Sequence, residues 1–491
     1  MVTHHEHTEV SDEETAVLGN KLTRRKAIGT MGKVAAGAVV AAVVAGSAGY
    51  YAGTLGGAVQ TTTVTATAAT TAAATTAPPV TLSTLAFAGP RFEQVYVALR
   101  DGFKQQYPNI NIDIEAAPGT DVMFVRGPTE LSTHSSAYDL LNVEEGMKIG
   151  LADNLLDMYP YINDPDPKVG IPDLETAYGP ALVNSGKWKG RFIWLSSDCN
   201  THIQYYRTDI LKDAGFDKPA ETWDEAEEIV KAVHKPPTRY GWIQMAQPWY
   251  SGGDWTSMNR YLGGIEFDSG WHPTVNTEVG LRALEYLKML YKYGVPGIEN
   301  FYDPDINEQL GSTGLGVFAP DEYGNGAAQN PTISRYGDLI KTVRVPKGVS
   351  SSLSNQDGPA NYDGRAARMG GVPLTVNNWS KHPKEAYLFV RYLQAPENGR
   401  AYCAASGQPG RTATLRDPVN QAQDNNHCFA ALADSFAFDT YHKAKLSELP
   451  QIDTILGEEM HLALFGGKAS KAALASAESR LDEVMKKAGY Y

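Results

Sequence analysis

The sequence predicts an α/β protein built from more than one sheet, and three observations carry that expectation. At 491 residues the chain is long enough to bury more than one core, so two lobes are the natural organisation. A strand, a helix and a second strand follow one another near the start of the folded body, a βαβ unit that requires a parallel sheet. Strand and helix patterns then keep alternating to the C-terminus, too often for one small sheet.

Taken in order, the body starts at about Pro79. "VTLSTLAFAG" reads as a buried strand, and "PRFEQVYVALRDGFKQQYP" as a helix with Phe92, Val95, Leu99 and Phe103 on one face. "NINIDIEAA" alternates Ile110, Ile112 and Ile114 in strand period. The Gly89-Pro90 turn falls at the carboxyl end of the first strand, where open α/β sheets place ligands. "AYDLLNV" is a further short strand that ends at Glu144-Glu145. Residues 205–233 pass from a strand to a short helix ended by Gly215, then through a turn set by Pro219 to a second helix. Thr222 and Glu225 open that second helix as a capping box, and Pro236-Pro237 closes it. "NTEVGLRALEYLKMLYKYGVP" is a helix with Leu281, Leu284, Leu287 and Tyr291 on one face, stopped by Gly294. "STGLGVFAPDEYGNG" is a strand opening into a polar, aromatic loop, and the stretch from Ala367 to Tyr402 is strand, loop and helix. "ASKAALASAESRLDEVMKKAG" closes the chain as an amphipathic helix, and there is no internal repeat.

Composition narrows the function. The net charge of −13, with no basic stripe, argues against a nucleic-acid partner, while 26 Tyr and 8 Trp are a generous aromatic supply. Cys199, Cys403 and Cys428 are too few for a disulfide scaffold and lack zinc-site spacing; whether Cys403 and Cys428 pair is open at this level. From Val34 through Pro90 there is no charged side chain. An acidic, His-containing head and the twin arginines Arg24-Arg25 (residues 1–33) precede an Ala/Val/Gly run at 34–58, long enough to cross a bilayer if it is not cleaved as an export signal. The Thr/Ala tract that follows (59–79) reads as a stalk. No cysteine precedes residue 199, so the expected attachment is a membrane helix with the body outside the cell, not a lipidated cysteine.

The passage "GKWKGRFIWLSSDCNTHIQYYRTDILKDAGFDKPAETWDEAEEIVKAV" resembles the central part of extracellular solute-binding proteins of the sugar type, the maltodextrin-binding-like group (family 1) of ABC importers. "FKQQYPNINID", "NLLDMYPYI", "YLGGIEFD", "GVPLTVNNWSKHPKEAYLFVRYL" and "GQPGRTATL" match in the same order, so the resemblance spans about 80–491; Arg207 stands where asparagine is common. It implies a two-lobe periplasmic-binding-protein-like fold with hinge crossover strands and an interlobe cleft. Lobe one would hold 80–200 and 375–429, and lobe two 201–374 and 430–491. The implied function is capture of a carbohydrate, an oligosaccharide by expectation, by a monomer that passes it to an ABC permease, with no catalysis and no cofactor.

Candidate site residues follow. In "QPWYSGGDW" the aromatics Trp249, Tyr250 and Trp255 lie among glycines, read as a loop whose rings stack on sugar faces. In "APDEYGNG", Asp321 and Glu322 are hydroxyl acceptors and Tyr323 a stacking ring. Glu144 of "NVEEG" and Asn200 at the first crossover reach the ligand from lobe one and the hinge, Arg91 lines the first helix N-terminus, and Trp379 lies beside the chain's only glycosylation sequon, at Asn378. Tyr205-Tyr206 as an iron pair fails because strand neighbours point to opposite faces. "DPDINE" lacks the calcium-loop glycine, and "HHEH" sits in the head. The alternatives are a surface glycoside hydrolase, for which no motif selects a carboxylate pair, a binding protein for a non-sugar solute, and a structural stalked surface protein. There is no Walker loop, G-x-S-x-G or H-E-x-x-H.

Overall fold

The computed structural model describes residues 78–321, 334–348, 364–423, 428–438, 440–441 and 443–491. The N-terminal head, apolar run and nearly all of the stalk lie outside the described residues, as do Glu322 and Tyr323. Among the described residues no helix is long and apolar enough to cross a membrane.

The βαβ unit forms as its pattern dictates. β1 (Val80–Phe87) pairs in parallel with β2 (Ile110–Ala117) along its whole length, and α1 (Glu93–Gln106) crosses between them. Helix α1 buries Val95, Tyr96, Leu99 and Phe103, the i, i+4 row that the sequence shows. β3 (Leu140–Asn142) adds in parallel on the other side of β1. The chain then makes a short hairpin of Lys187–Trp188 against Arg191–Phe192 and reaches β4 (Asn200–Thr201) and β5 (Ile203–Arg207).

Past β5 the capping box forms at α2 (Trp223–Val233): the Glu225 N–H donates to Thr222 Oγ1 at 3.2 Å and the Thr222 N–H to the Glu225 carboxylate at 3.3 Å. β6 (Tyr240–Trp242), α3 (Pro248–Tyr261), α4 (Glu278–Tyr291), β7 (Gly316–Asp321) and β8 (Ile340–Arg344) follow. β5, β6, β7 and β8 make a second four-stranded sheet in the order β8-β5-β7-β6, mostly antiparallel. Arg207 ends β5 with its guanidinium 4.0 Å over the Tyr336 ring and bonded to Asp209.

β9 (Ala367–Gly370) and β10 (Leu374–Val376) bring the chain back. β10 completes the first sheet in the order β10-β3-β1-β2. α5 (Pro383–Leu393) and α6 (Phe429–Phe438) lead to β11 (Thr440–Tyr441), and α7 (Leu449–Leu464) and α8 (Ser470–Ala488) end the fold. Between the two large sheets lies a third, small one, β11-β9-β4, formed where the chain passes at 200–201, 367–370 and 440–441.

One expectation is overturned here. The glycine-containing stretch 247–255 is not a loop; it is the first half of α3. Its glycines answer to neighbours rather than to turns. A Cβ on Gly252 would lie 2.7 Å from the backbone nitrogen of Gly457, and one on Gly457 would lie 2.4 Å from the Pro248 carbonyl oxygen, so α3 and α7 touch backbone to backbone. In a free helix, Gly→Ala gains about 1 kcal/mol. Gly252→Ala should instead destabilise the protein by about 1–3 kcal/mol, because the helices must separate. Urea unfolding of the variant decides the sign, and a gain in stability would refute the close approach.

Candidate functional site

The small sheet presents one polar face. In its antiparallel ladder Gly370 opposes Asn200 and Met369 opposes Thr201, and one step on, the His202 N–H donates to the Arg368 carbonyl at 3.3 Å. Strand alternation therefore puts Asn200, His202, Arg368 and Gly370 on one face, joined by Tyr441, which pairs with Arg368. Gly370 leaves room for the Asn200 carboxamide, since a Cβ there would meet its Oδ1 at 2.3 Å. Asn200 is fully buried, yet neither its Nδ2 nor its Oδ1 has a hydrogen-bond partner among the described residues. The Arg368 guanidinium lies against α3, where a Cβ on Gly253 would be 2.6 Å from its central carbon.

Beside this face, residues from distant parts of the chain converge. Lys443 Nζ lies 5.1 Å over the Trp249 ring and bonds Asp453 at 2.8 Å. A Cβ on Gly146, just after β3, would stand 2.9 Å from Glu144 Oε2, 3.2 Å from Lys443 Nζ and 3.4 Å from Asp453 Oδ2. Trp249 also meets Phe124, from the segment after β2, edge to face at 5.7 Å. Neighbouring Glu145 is buried and paired with Lys148 at 2.7 Å, so it is not exposed.

Burial dominates the electrostatics. It raises the Glu144 carboxyl above its usual range against the pull of Lys443. It lowers His202 well below the usual histidine value, with Arg368 and Lys443 adding to the effect, so this imidazole stays neutral. Asp254, on α3, is pushed up to about 7 by burial, which outweighs Arg368 and the hydrogen bond that Tyr291 donates at 3.1 Å.

The structure brings Glu144, Asn200 and Trp249 into this region. Trp255 is corrected to the core: it is fully buried, with its indole N–H donating to the Gly280 carbonyl at 2.9 Å. Tyr250, one residue beyond Trp249 and so about 100° around the helix, is buried against Tyr302 and is likewise a packing residue. Arg91 is held by Asp198, to which its guanidinium donates at 2.9–3.2 Å, while Asp198 also accepts the Val372 N–H. It braces the first helix to the hinge rather than lying open at the helix N-terminus. Trp379 is exposed, stacked on His134, with its indole N–H donating to Asn154 Oδ1. Asp321 ends β7 opposite Ile203, next to the hinge, and its side chain is not described. Sequence reasoning missed Phe124, Asp198, His202, Asp254, Arg368, Lys443 and Asp453. Asp254 stood inside a quoted motif and Asp198 beside Asn200, whereas Arg368 and Lys443 carry no local signal.

Residues 86–400 match the family model for bacterial extracellular solute-binding proteins. A probable amino-acid ABC transporter periplasmic-binding protein, y4oP, of Sinorhizobium fredii is 24% identical over 428 residues, covering 83% of this chain and 90% of its own. Among solved structures, maltose-bound MalE3 of T. maritima is similar at a TM-score of 0.69 and 18% identity, covering 82% of this chain and all of the other. An ABC transporter solute-binding protein from Agrobacterium radiobacter K84, in complex with ribitol, is similar at 0.69 and 18%, covering 83% and 99%. The two-lobe α/β architecture is thus that of periplasmic solute-binding proteins.

Asp254 yields a test of the buried charges. A carboxyl raised from 3.8 to about 7 on folding contributes stability that is complete below about pH 4 and lost as pH rises through about 7. The stability of Asp254→Asn minus that of the native protein should therefore grow between about pH 4 and pH 7, then level off. The change is at most on the order of 4 kcal/mol. Melting temperatures of both proteins across that range measure it, and a pH-independent difference would refute the shift.

Proposed function

The chain belongs to the bacterial extracellular solute-binding proteins, and from that premise we propose that it captures a carbohydrate in the cleft between its lobes and delivers it to the permease of an ABC importer. Family and fold are those of exported transport proteins rather than enzymes. The observation that carries the carbohydrate reading is the buried Asn200 carboxamide, which lacks partners on both its donor and its acceptor side among the described residues. A buried polar group left unbonded costs about 1–3 kcal/mol. A hydroxyl both donates and accepts, so a polyhydroxyl solute fills both sides at once.

Trp249 and Glu144 extend the same logic. The half-buried indole offers an apolar face for ring C–H groups, and Glu144 accepts from hydroxyls. MalE3 is bound to maltose and the Agrobacterium protein to ribitol, which favours the sugar class, while y4oP bears an amino-acid transporter name and supplies the competing class. Solute touching both lobes binds the closed form better and so shifts the open–closed equilibrium. In this reading the protein acts as a monomer, with lobe one at 80–200 and 375–429 and lobe two at 201–374 and 430–491. The run at 34–58 tethers it to the outer membrane face through the stalk at 59–79, and the charge-free sequence from Val34 to Pro90 supports that arrangement.

Calorimetric titration with a panel of mono- and oligosaccharides, polyols and amino acids tests the class. Saturable sugar binding without products is expected, and binding of amino acids alone would overturn the reading. With the sugar found, Trp249→Ala should lose about 2 kcal/mol of binding, roughly thirtyfold, with near-normal melting. Unchanged affinity, or a melting temperature that collapses in the absence of sugar, would place Trp249 in the core instead.

A further inference from the structure

Phe124 and Val125 are adjacent large apolar residues left 45% and 57% exposed. They sit in a five-residue π-turn, Val122–Arg126, between β2 and the short helix Gly127–Ser132. π-turns are uncommon and concentrate at functional positions. The turn is firmly held. Arg126 at its end donates to Glu115 at 2.7 Å and to the Tyr138 hydroxyl at 2.5 Å, and Tyr138 in turn donates to Glu115. Gly127 closes it tightly, since a Cβ there would stand 2.4 Å from the Val122 carbonyl oxygen. The exposed ring is therefore carried on a braced backbone that belongs to the first lobe.

What that ring touches is Trp249, which begins α3 in the second lobe. The edge-to-face geometry at 5.7 Å and 75° is a favourable aromatic pair. It spans the two lobes at the place where the preceding section puts the ligand face of Trp249, on whose ring Lys443 also lies. We infer that Phe124 is the first-lobe jaw of the cleft: it faces Trp249 across the lobes, and a bound sugar ring takes up the space between the two. The inference rests on the carbohydrate reading for the identity of the solute, but not for the contact between the lobes. It also sharpens the solute class. Two facing aromatic groups suit a cyclic sugar, with an apolar face on each side, better than an acyclic polyol or a small amino acid.

The test uses the full chain with Phe124→Ala and Phe124→Tyr. Hydrogen exchange without solute, read in peptides covering 142–148 and 367–371, reports how far the cleft is open. Phe124→Ala should speed exchange there roughly two- to tenfold, the span expected for loss of one aromatic pair. Its affinity for the sugar found by titration should fall over a similar or larger range. Its melting temperature should stay close to that of the native protein, because the ring is exposed. Phe124→Tyr should restore both exchange and affinity. Native exchange in Phe124→Ala overturns the inference whether or not any sugar binds, so this failure is distinct from failure of the carbohydrate reading. Faster exchange with unchanged sugar affinity also overturns it, because the ring would then latch the lobes without touching solute.

Discussion

The small hinge sheet must keep charged side chains out of water, and the rest of the architecture depends on that constraint. Asp198, Arg368 and Lys443 are each more than nine-tenths buried, and they arrive on three separate passes of the chain. Removing an ion from water costs several kcal/mol even after relaxation, so each needs a partner. Asp198 illustrates the solution. It takes the Arg91 guanidinium from the first lobe and the Val372 N–H from the returning strand, while its neighbour Ser197 accepts the N–H of Leu374. A slip of one residue in any pass would turn these side chains to the opposite face, so the charges fix the register of strands only two to four residues long. The sheets on either side are then placed by how the hinge is threaded.

The same constraint shapes what the cleft can receive. Burial, helped by Arg368 and Lys443, keeps His202 neutral, and burial also raises the Glu144 and Asp254 carboxyls. Lys443 is matched by Asp453. On this face the neutral Asn200 carboxamide has no hydrogen-bond partner for either atom among the described residues, and a neutral group with both donor and acceptor capacity suits hydroxyls better than a full ionic partner. In the proposed carbohydrate reading, closure over a polyol would give that amide its partners. The difference in solute affinity between the open and closed states is the free energy by which solute would drive closure.

Much of the fold was legible in the sequence, because its signals are local. The Ile110, Ile112, Ile114 alternation, the Val95, Leu99, Phe103 row and the Thr222–Glu225 capping box each depend on residues within a few positions, and each formed as expected. The site was less legible for the opposite reason. Arg368 and Lys443 come from passes far from Asn200 and Trp249 in sequence, and nothing beside them marks a cleft. Glycine weakens helices, so Gly252 and Gly253 suggest a loop in sequence, but here tertiary contact with Gly457 and Arg368 overrides propensity. Once the loop became a helix, its three aromatics separated. Trp249 stays at the first turn, while Tyr250 and Trp255 turn into the packed interior. Phe124 could not be singled out, since an exposed phenylalanine in a short segment looks like any other until its partner is placed.

The two glycines of α3 tie these observations into one mechanical unit. Gly252 lets α7 approach at backbone distance, and Asp453, the partner of Lys443, is on α7. Gly253, the next residue, lets the Arg368 guanidinium rest directly on the helix. The first turn of α3, which carries Trp249, is therefore located from one side by the hinge strand and from the other by the helix that holds the Lys443 ion pair. With the proposed lobe assignment, a rotation of the lobes would move Trp249 relative to Glu144 and Phe124 but leave it fixed relative to Asp453. An aromatic face mounted rigidly on one lobe and met by groups on the other converts a small hinge angle into making or breaking several contacts together. Packed interfaces respond to such motion in two discrete states rather than by gradual deformation.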